Sequence, residues 1–285
     1  MINRDNTVIE AFGQEWSKFD QKDVDPVELR SVFDLYFAIF PWDKLCPGAV
    51  GFDLGCGSGR WAYFVAPRVG RLHCIDASDD ALQVARQKLN RYSNCEFCCA
   101  SVDSIPLPDN SADFGYSLGV LHHVPDPSGG MQACVRKLKP GAPFLVYLYY
   151  AFDNRPWWFR VVWRVSDLLR RLISKLPFAI KSRVCDMIAA AVYWPLARTA
   201  KIIARSGVSL DAWPLSAYRD RSFYVMRNDA LDRFGTRLEH RFTRAQIDHM
   251  MRKAGLERIR FGETPCWCAV GFKTEQASRP NTCDR

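Results

Sequence analysis

A glycine-rich turn directly after an apolar run constrains the fold of this 285-residue chain more than any other feature. Residues 50–54 are apolar except for Asp53, and glycines then alternate at Gly55, Gly57 and Gly59. Glycine adopts positive φ at little cost and lets a ligand approach the main chain without meeting a Cβ. Between a strand and a helix, such a turn is typical of a cofactor-binding loop. The sequence therefore predicts a cofactor site at the end of the first strand.

Short apolar runs alternate with amphipathic segments around this turn. Strands are predicted at 50–54, 72–75, 96–100, 114–118, 143–150, 256–261 and 266–272. Helices are predicted to begin at residue 60 and to cover 78–89, 128–138, about 180–200 and 243–254. This alternation predicts a doubly wound α/β fold with a parallel sheet.

The chain divides into five predicted segments. They are an N-terminal helical cap at 1–45, a cofactor-binding core at 46–154, a helical lid insertion at 155–242, the last helix and strands of the core at 243–274, and a tail at 275–285. Core packing is the favoured role for most of the aromatic residues in the cap.

Composition indicates the cellular compartment and the distribution of charge along the chain. The 11 cysteines are scattered and odd in number, which favours reduced side chains and a cytoplasmic location, with no structural metal. The absence of an apolar run of about 18 residues argues against a spanning helix, and the polar N-terminus lacks the apolar core of a secretory signal. The net charge of +8 is concentrated between Arg155 and Arg205.

Two carboxylates indicate the type of cofactor. The glycine spacing is G-x-G-x-G rather than the dinucleotide pattern G-x-G-x-x-G. Asp53, two residues before the first glycine, would repel a pyrophosphate but suits an ammonium group. Asp76, which follows the second strand, can accept both hydroxyls of a ribose. Asp76 fits NAD and other adenosine cofactors equally well.

Several segments resemble the ordered motifs of class I S-adenosylmethionine-dependent methyltransferases. Residues 53–59 (Asp-Leu-Gly-Cys-Gly-Ser-Gly) resemble motif I, and residues 75–78, 105–113, 116–126 and 138–141 resemble the later motifs in order. The resemblance covers about residues 45–150. It implies a Rossmann-like sheet of seven mostly parallel strands with an antiparallel last strand, S-adenosyl-L-methionine as cofactor, and methyltransferase activity.

The same resemblance implies where the cofactor lies. Asp53 would hold the ammonium group through water, Asp76 would take the ribose, and Ser101 or Asp103 would bind the adenine, at a position where the family commonly has an acidic residue. The other implied contacts are Gly55, Cys56, Gly57 and Gly59 at the methionine end, Ala77 beside the ribose, Val102 beside the adenine, and Leu118 and Gly119 beside the transferable methyl group. Because the leading helices of many family members close over the cofactor, the resemblance also implies that Gln14 or Trp16 of the cap could contact it.

The sequence gives weaker signals for the residues around the methyl acceptor than for those around the cofactor. His122 and His123 follow the fourth strand, where a general base could lie, but capping or packing are the simpler roles. Tyr147, Tyr149 and Tyr150 are candidate walls of the acceptor pocket. The Asn-Pro-Pro-Tyr motif of base-modifying methyltransferases is absent, which argues against a nucleic-acid acceptor and favours a small molecule.

The insertion at 155–242 has three interpretations. Five of its residues are tryptophans, which favours an apolar or extended acceptor: Trp157, Trp158, Trp163, Trp194 and Trp213. Residues 156–176 form an amphipathic helix whose apolar side is expected to pack on the domain. The alternatives are contact with an anionic membrane surface and a dimer interface, so both a monomer and a homodimer stay open.

These features favour O- or C-methylation of a small lipophilic or glycosylated metabolite. A NAD(P)-dependent oxidoreductase is one alternative, disfavoured by the loop spacing and by Asp53. A non-catalytic cofactor-binding or membrane-docked protein is the other.

Overall fold

The structure, a computed structural model, describes residues 3–153, 155–210, 213–263 and 268–275. Apart from residue 275, the predicted tail lies outside the described residues, as do residues 266 and 267 of the last predicted strand.

A seven-stranded sheet forms the centre of the fold. Its strands are β1 Val50–Leu54, β2 Arg71–Asp76, β3 Cys95–Cys99, β4 Phe114–Leu118, β5 Pro143–Tyr147, β6 Leu256–Phe261 and β7 Cys268–Lys273. They lie in the order β3-β2-β1-β4-β5-β7-β6. The pairs among β1 to β5 are parallel, whereas β7 runs antiparallel to both β5 and β6. The predicted fold class, with its antiparallel last strand, is therefore confirmed.

Ten α-helices complete the described part of the chain. They are α1 Asn6–Lys18, α2 Pro26–Tyr36, α3 Ala62–Val65, α4 Asp79–Lys88, α5 Pro127–Lys137, α6 Trp157–Ile173, α7 Phe178–Ile188, α8 Trp194–Ala204, α9 Phe223–Gly235 and α10 Arg244–Lys253. Short polar residues fix several helix starts. The Ser78 hydroxyl accepts the Ala81 N–H at the start of α4, and Thr243 and Gln246 form a capping box on α10.

The buried core has layers on both faces of the sheet. Along β5, Leu145 and Tyr147 belong to the cluster that contains Phe33 and Phe37 of the N-terminal region. Phe144 and Val146 belong to the opposite cluster, which includes residues of α5 and α10. This alternation follows from the two-residue period of a strand. A third cluster holds α7, α8 and α9 together inside the insertion.

The largest differences from the sequence prediction concern the end of β5, the helix at 180–200 and helix α9. Strand β5 ends at Tyr147, so Tyr149 and Tyr150 lie in the following segment, where Tyr150 bridges to Phe242. The predicted helix at 180–200 is α7 and α8 joined by a π-helical turn at Ala189–Tyr193. Helix α9 was not predicted, because turn-forming residues surround it.

The orientation of α6 corrects the expectation that its apolar side packs on the domain. Val165, Leu168 and Leu172 are exposed, whereas Asp167 and Arg170 are buried. The Arg170 guanidinium donates to Asp167 Oδ1 at 2.8 Å and to the main-chain oxygens of residues 236 and 237 at 2.8 and 2.7 Å. These bonds hold the polar side of the helix against the protein and leave the apolar side outside.

None of the helices in the described ranges is both long enough and apolar enough to cross a membrane.

Candidate active site

The glycine loop between β1 and α3 has the conformation that its sequence predicts. Gly55, Gly57 and Gly59 have φ angles of +76°, +53° and +74°, which disfavour any residue with a Cβ. A Cβ at Gly55 would lie 2.2 Å from the Val120 side chain. The Gly57 N–H donates to Asp76 Oδ2 at 2.9 Å, which ties the loop to the end of β2. The loop is therefore a fixed turn that follows β1 and is bonded to the end of the neighbouring strand β2.

Two acids flank this loop, one fully buried and one half-buried. Asp53 is fully buried within β1, and burial raises its pKa well above the usual range, with the nearby Tyr116 hydroxyl offsetting part of that effect. Among the described residues, no hydrogen bond of ordinary geometry reaches either Asp53 carboxyl oxygen. Burial also raises the pKa of Asp76, against the Ser78 and Gly57 N–H groups that donate to it. A cationic ligand beyond the loop would lower the cost of keeping Asp53 ionised.

The turn after β3 places Ser101 and Asp103 differently. Ser101 and Val102 line the cavity described below. The Ser101 hydroxyl donates to Asp103 Oδ1, and the Asn3 N–H donates to Asp103 Oδ2 at 3.2 Å. The Ser101 bond, followed by the Asn3 bond, lowers the pKa of Asp103. Asp103 does not line the cavity, so the structure separates the two residues that the sequence offered as alternatives.

A cavity of about 1180 Å³ opens where β1, β2, β4 and β5 end. That volume exceeds the range typical of a single small-molecule site. Its lining near the loop includes Gly55, Cys56, Asp76, Ala77, Leu118 and Gly119, whereas Gly57 and Gly59 do not line it. At Gly119, whose φ is +82°, an added Cβ would meet nothing within 4 Å. Open space therefore begins directly at the end of β4.

The cap contributes one of its two candidate contacts. Trp16 of α1 lines the cavity, and a Cβ on Gly57 would lie 2.8 Å from its indole. Gln14 is exposed and does not line the cavity, so only Trp16 covers the glycine loop.

The far side of the cavity is aromatic and mostly apolar. Tyr147, Tyr149 and Tyr150 all line it, as do residues of the insertion: Phe159, Trp163, Tyr193, Leu196, Trp213 and Tyr218. The Tyr149 hydroxyl donates to Asp232 Oδ2. The cavity therefore joins the glycine loop to an aromatic enclosure that is large enough for a second ligand.

Three carboxyl groups of α1 and α9 line this cavity. They are Glu15 of α1 and Asp229 and Asp232 of α9. Burial, followed by repulsion from the two aspartates, raises the pKa of Glu15 well above its usual range, and the Asn228 amide donates to Glu15 Oε1 at 2.6 Å. Burial raises the pKa of Asp229 to about 6, against the opposing effect of Arg60. Asp229 therefore titrates close to neutral pH.

The two histidines occupy different environments. His122 is fully buried, has no ring-nitrogen hydrogen bond among the described residues, and stacks on Tyr149 at 3.8 Å between ring centroids. Burial lowers its pKa well below the usual value. His123 borders the cavity, with Nδ1 2.7 Å from the Leu238 carbonyl oxygen and Nε2 3.7 Å from Asp232 Oδ1. Because a carbonyl only accepts, Nδ1 carries the proton.

Sequence reasoning missed the carboxyl groups of α9. One signal was present: Ser222 accepts the Val225 N–H as an N-cap, and Met226, Ala230 and Phe234 recur at four-residue spacing. That pattern could have identified the helix. It could not have shown that Asp229 and Asp232 line the cavity, because this depends on how the insertion packs.

A parallel sheet with a glycine loop and an acid at the end of β2 defines the class of nucleoside-cofactor-binding α/β proteins. Comparisons narrow the class. Residues 52–146 match the family model for a methyltransferase domain. A ubiquinone biosynthesis O-methyltransferase of Idiomarina loihiensis is 29% identical over 148 residues, which cover 44% of this chain and 61% of that protein. A cycloartenol-C-24-methyltransferase 1 of Oryza sativa is 32% identical over 113 residues, which cover 38% of this chain and 33% of that protein.

Among solved structures, a SAM-dependent methyltransferase of Methanosarcina mazei superposes with a TM-score of 0.51 at 18% identity. The match covers 85% of this chain and 100% of that one. The chain spans less than two thirds of the length of the first curated relatives that it matches. It contains a class I S-adenosylmethionine-dependent methyltransferase domain, and S-adenosyl-L-methionine is the cofactor of that domain class.

Proposed function

We propose that the protein transfers the methyl group of S-adenosylmethionine to oxygen or carbon of a small lipophilic acceptor. The single observation that carries this proposal is the continuous cavity, which runs from the glycine loop to the aromatic enclosure of the insertion. The bound cofactor supplies an activated methyl group for in-line displacement. Two relatives are named for O-methylation in ubiquinone biosynthesis and for C-24 methylation of cycloartenol, which agrees with an apolar acceptor.

The residues around the loop fit this cofactor. Asp53, buried without an ordinary hydrogen bond, suits a nearby ammonium group, with the loop between them. Asp76 would take the ribose hydroxyls, since its carboxylate is oriented by two main-chain donors. Ser101 is the better candidate for the adenine amino group, because its hydroxyl proton goes to Asp103 and its oxygen lone pairs stay available. Leu118 and Gly119 would border the methyl group.

Asp229 is the proposed general base. A base works best when its pKa lies near the working pH, and the pKa of Asp229 is about 6. His123 is less suited to this role, because its Nε2 is buried and burial lowers its pKa. His122 does not line the cavity. We therefore assign both histidines to supporting the wall formed by Tyr149.

Titration calorimetry with S-adenosylhomocysteine and with NAD⁺ tests the cofactor assignment. The proposal requires binding of S-adenosylhomocysteine, and binding of NAD⁺ alone would favour the oxidoreductase alternative. Methyl transfer from radiolabelled S-adenosylmethionine to a panel of lipophilic phenols and carbon acids tests the activity. Cofactor binding with no transfer to any of them would favour a non-catalytic role.

Two variants test the base. Asp229→Asn is expected to lower turnover about 10²- to 10⁴-fold and to leave the affinity for S-adenosylhomocysteine unchanged. His123→Gln, the comparison variant, should have a much smaller effect. Turnover of the unmodified protein should decrease below about pH 6, where Asp229 becomes protonated. A larger loss in His123→Gln than in Asp229→Asn would refute the assignment.

A further inference from the structure

The outward side of α6 is apolar along its whole length. Trp157, Leu168 and Leu172 are 71%, 63% and 60% exposed. Other exposed apolar side chains on the same segment are Val161, Val162, Val165, Leu169 and Leu176. At about 100° per residue these positions fall within an arc of roughly 140°. We call this surface, residues 157, 161, 162, 165, 168, 169, 172 and 176, the α6 stripe.

Buried polar contacts fix this orientation. Asp167 bonds both Arg170 and Arg171, and Arg170 also donates to two main-chain carbonyl oxygens of the segment after α9. Ser166 accepts from Arg233 at 3.1 Å. Rotation of α6 to bury the stripe would break the bonds from Arg170 to the two carbonyl oxygens and the bond from Arg233 to Ser166, and would leave these groups without their partners. The stripe is thus exposed because the inner side of the helix is built from charges.

A row of basic residues borders one edge of the stripe. Arg160, Arg164, Arg171 and Lys175 are all exposed and follow one another at intervals of four, seven and four residues. Among described carboxylates, only Asp167 pairs with any of the four, through Arg171. Residues 155–205 contain eleven basic and two acidic side chains, so their net charge of +9 exceeds the +8 of the whole chain.

We propose that α6 docks on the surface of an anionic lipid bilayer. It would lie in the plane of the interface with the stripe among the acyl chains and the basic row on lipid phosphates. Trp157, at the start of the helix, suits the headgroup level, where tryptophan is enriched. The apolar stripe matches the acyl chains of an anionic lipid, and the basic row, with no exposed acid on the same helix, matches its negatively charged headgroup.

A second copy of the chain matches this surface less well. A two-fold interface brings the same patch of both subunits together. The basic row would then add like charges to the interface, because α6 contains no exposed carboxylate to complement them. Phospholipid headgroups provide the missing negative charge.

Docking would also connect the bilayer to the cavity. Val162 belongs to the stripe and lines the cavity, and the exposed Val192 lines it as well. If the proposed function holds, a lipophilic acceptor could pass from the bilayer into the cavity beside Val162. The docking itself does not depend on methyl transfer, so its test needs no substrate.

The test is co-sedimentation of the full chain with phosphatidylglycerol–phosphatidylcholine vesicles and with vesicles of phosphatidylcholine alone. We expect binding to the first kind that decreases with salt, and little binding to the second. Arg160→Gln and Arg164→Gln should each weaken binding about fivefold, and Leu168→Glu should abolish it. Brominated lipid should quench less fluorescence in Trp157→Phe than in the unmodified protein.

Matched controls separate docking from general effects. Val27→Glu changes an exposed apolar residue of α2, and Lys253→Gln removes an exposed charge from α10; both should bind like the unmodified protein. The melting temperature of each variant reports whether it folds. Absence of binding to anionic vesicles at low salt, or binding that the α6 variants leave unchanged, would overturn the proposal. A dimer in light scattering that Leu168→Glu dissociates, without vesicle binding, would assign the stripe to a second copy.

Discussion

Asp229→Asn should make the protein more stable at neutral and alkaline pH. The carboxyl pKa is about 6 in the folded protein, compared with the ordinary aspartate pKa of 3.8. Because its pKa is raised, the folded protein binds the Asp229 proton more tightly than the unfolded chain does. The stability gained from this proton is fully present below pH 3.8 and is lost as the pH rises through 6. Roughly two pH units correspond to about 3 kcal/mol, an upper bound because water in the cavity screens the charge.

Urea unfolding of both proteins between pH 5 and pH 8 measures this difference. Because asparagine cannot ionise, the variant should have the higher free energy of unfolding, by up to about 3 kcal/mol at pH 8 and about half of that at pH 5. Asp23→Asn, at an exposed position in the turn between α1 and α2 that takes part in no ion pair among the described residues, is the control and should leave the urea midpoint unchanged. Equal stabilities of Asp229→Asn and the unmodified protein at pH 8, or a difference independent of pH, would refute the reasoning.

Three further substitutions examine the rest of the site. Asp76→Ala removes the acceptor of the Gly57 and Ser78 N–H groups, and calorimetry should show at least tenfold weaker binding of S-adenosylhomocysteine; an unchanged Kd would contradict the ribose assignment. Gly57→Ala forces a Cβ into positive φ and to within 2.8 Å of an indole, so we expect a loss of about 1–2 kcal/mol in urea unfolding, and an unaltered midpoint would argue against the observed turn. Tyr149→Phe deprives Asp232 of a hydroxyl donor and should cost about 1–3 kcal/mol, whereas a stability equal to that of the unmodified protein would indicate that water replaces the hydroxyl.

The sheet was predictable because its determinants are local. Strand β1 and the glycine loop are consecutive in sequence, the acid ends the next strand, β2, and alternating periods of two and 3.6 residues identify strands and helices directly. For β7, the sequence analysis predicts only the antiparallel direction, and that prediction comes from the family resemblance; the register of β7 against β5 is not predicted. A strand written Cys-Ala-Val-Gly-Phe-Lys carries no local sign of whether its neighbour is parallel.

The catalytic side of the site was less predictable because it depends on long-range packing. His122 and His123 are predicted as candidate general bases because the pair follows the fourth strand, beside the expected cofactor site. Their burial reduces their value as bases, and this is visible only when Tyr149 and Phe12 are packed against them. Asp229 is about 170 residues from the glycine loop in sequence, and its raised pKa results from the cavity that the two segments enclose together.

Helix α6 shows a more general limit of periodicity. A hydrophobic stripe identifies a helix and its apolar side, but it does not state what that side faces. In this chain the deciding residues are Asp167 and Arg170, which lie on the opposite side and pair with each other, while Arg170 also donates to the main-chain oxygens of residues 236 and 237 after α9. Turning the stripe inward would leave those two carbonyl groups without this donor, which costs free energy. The exposed stripe is therefore a consequence of internal charge pairing, and it leaves the helix with an apolar surface that an anionic bilayer can cover.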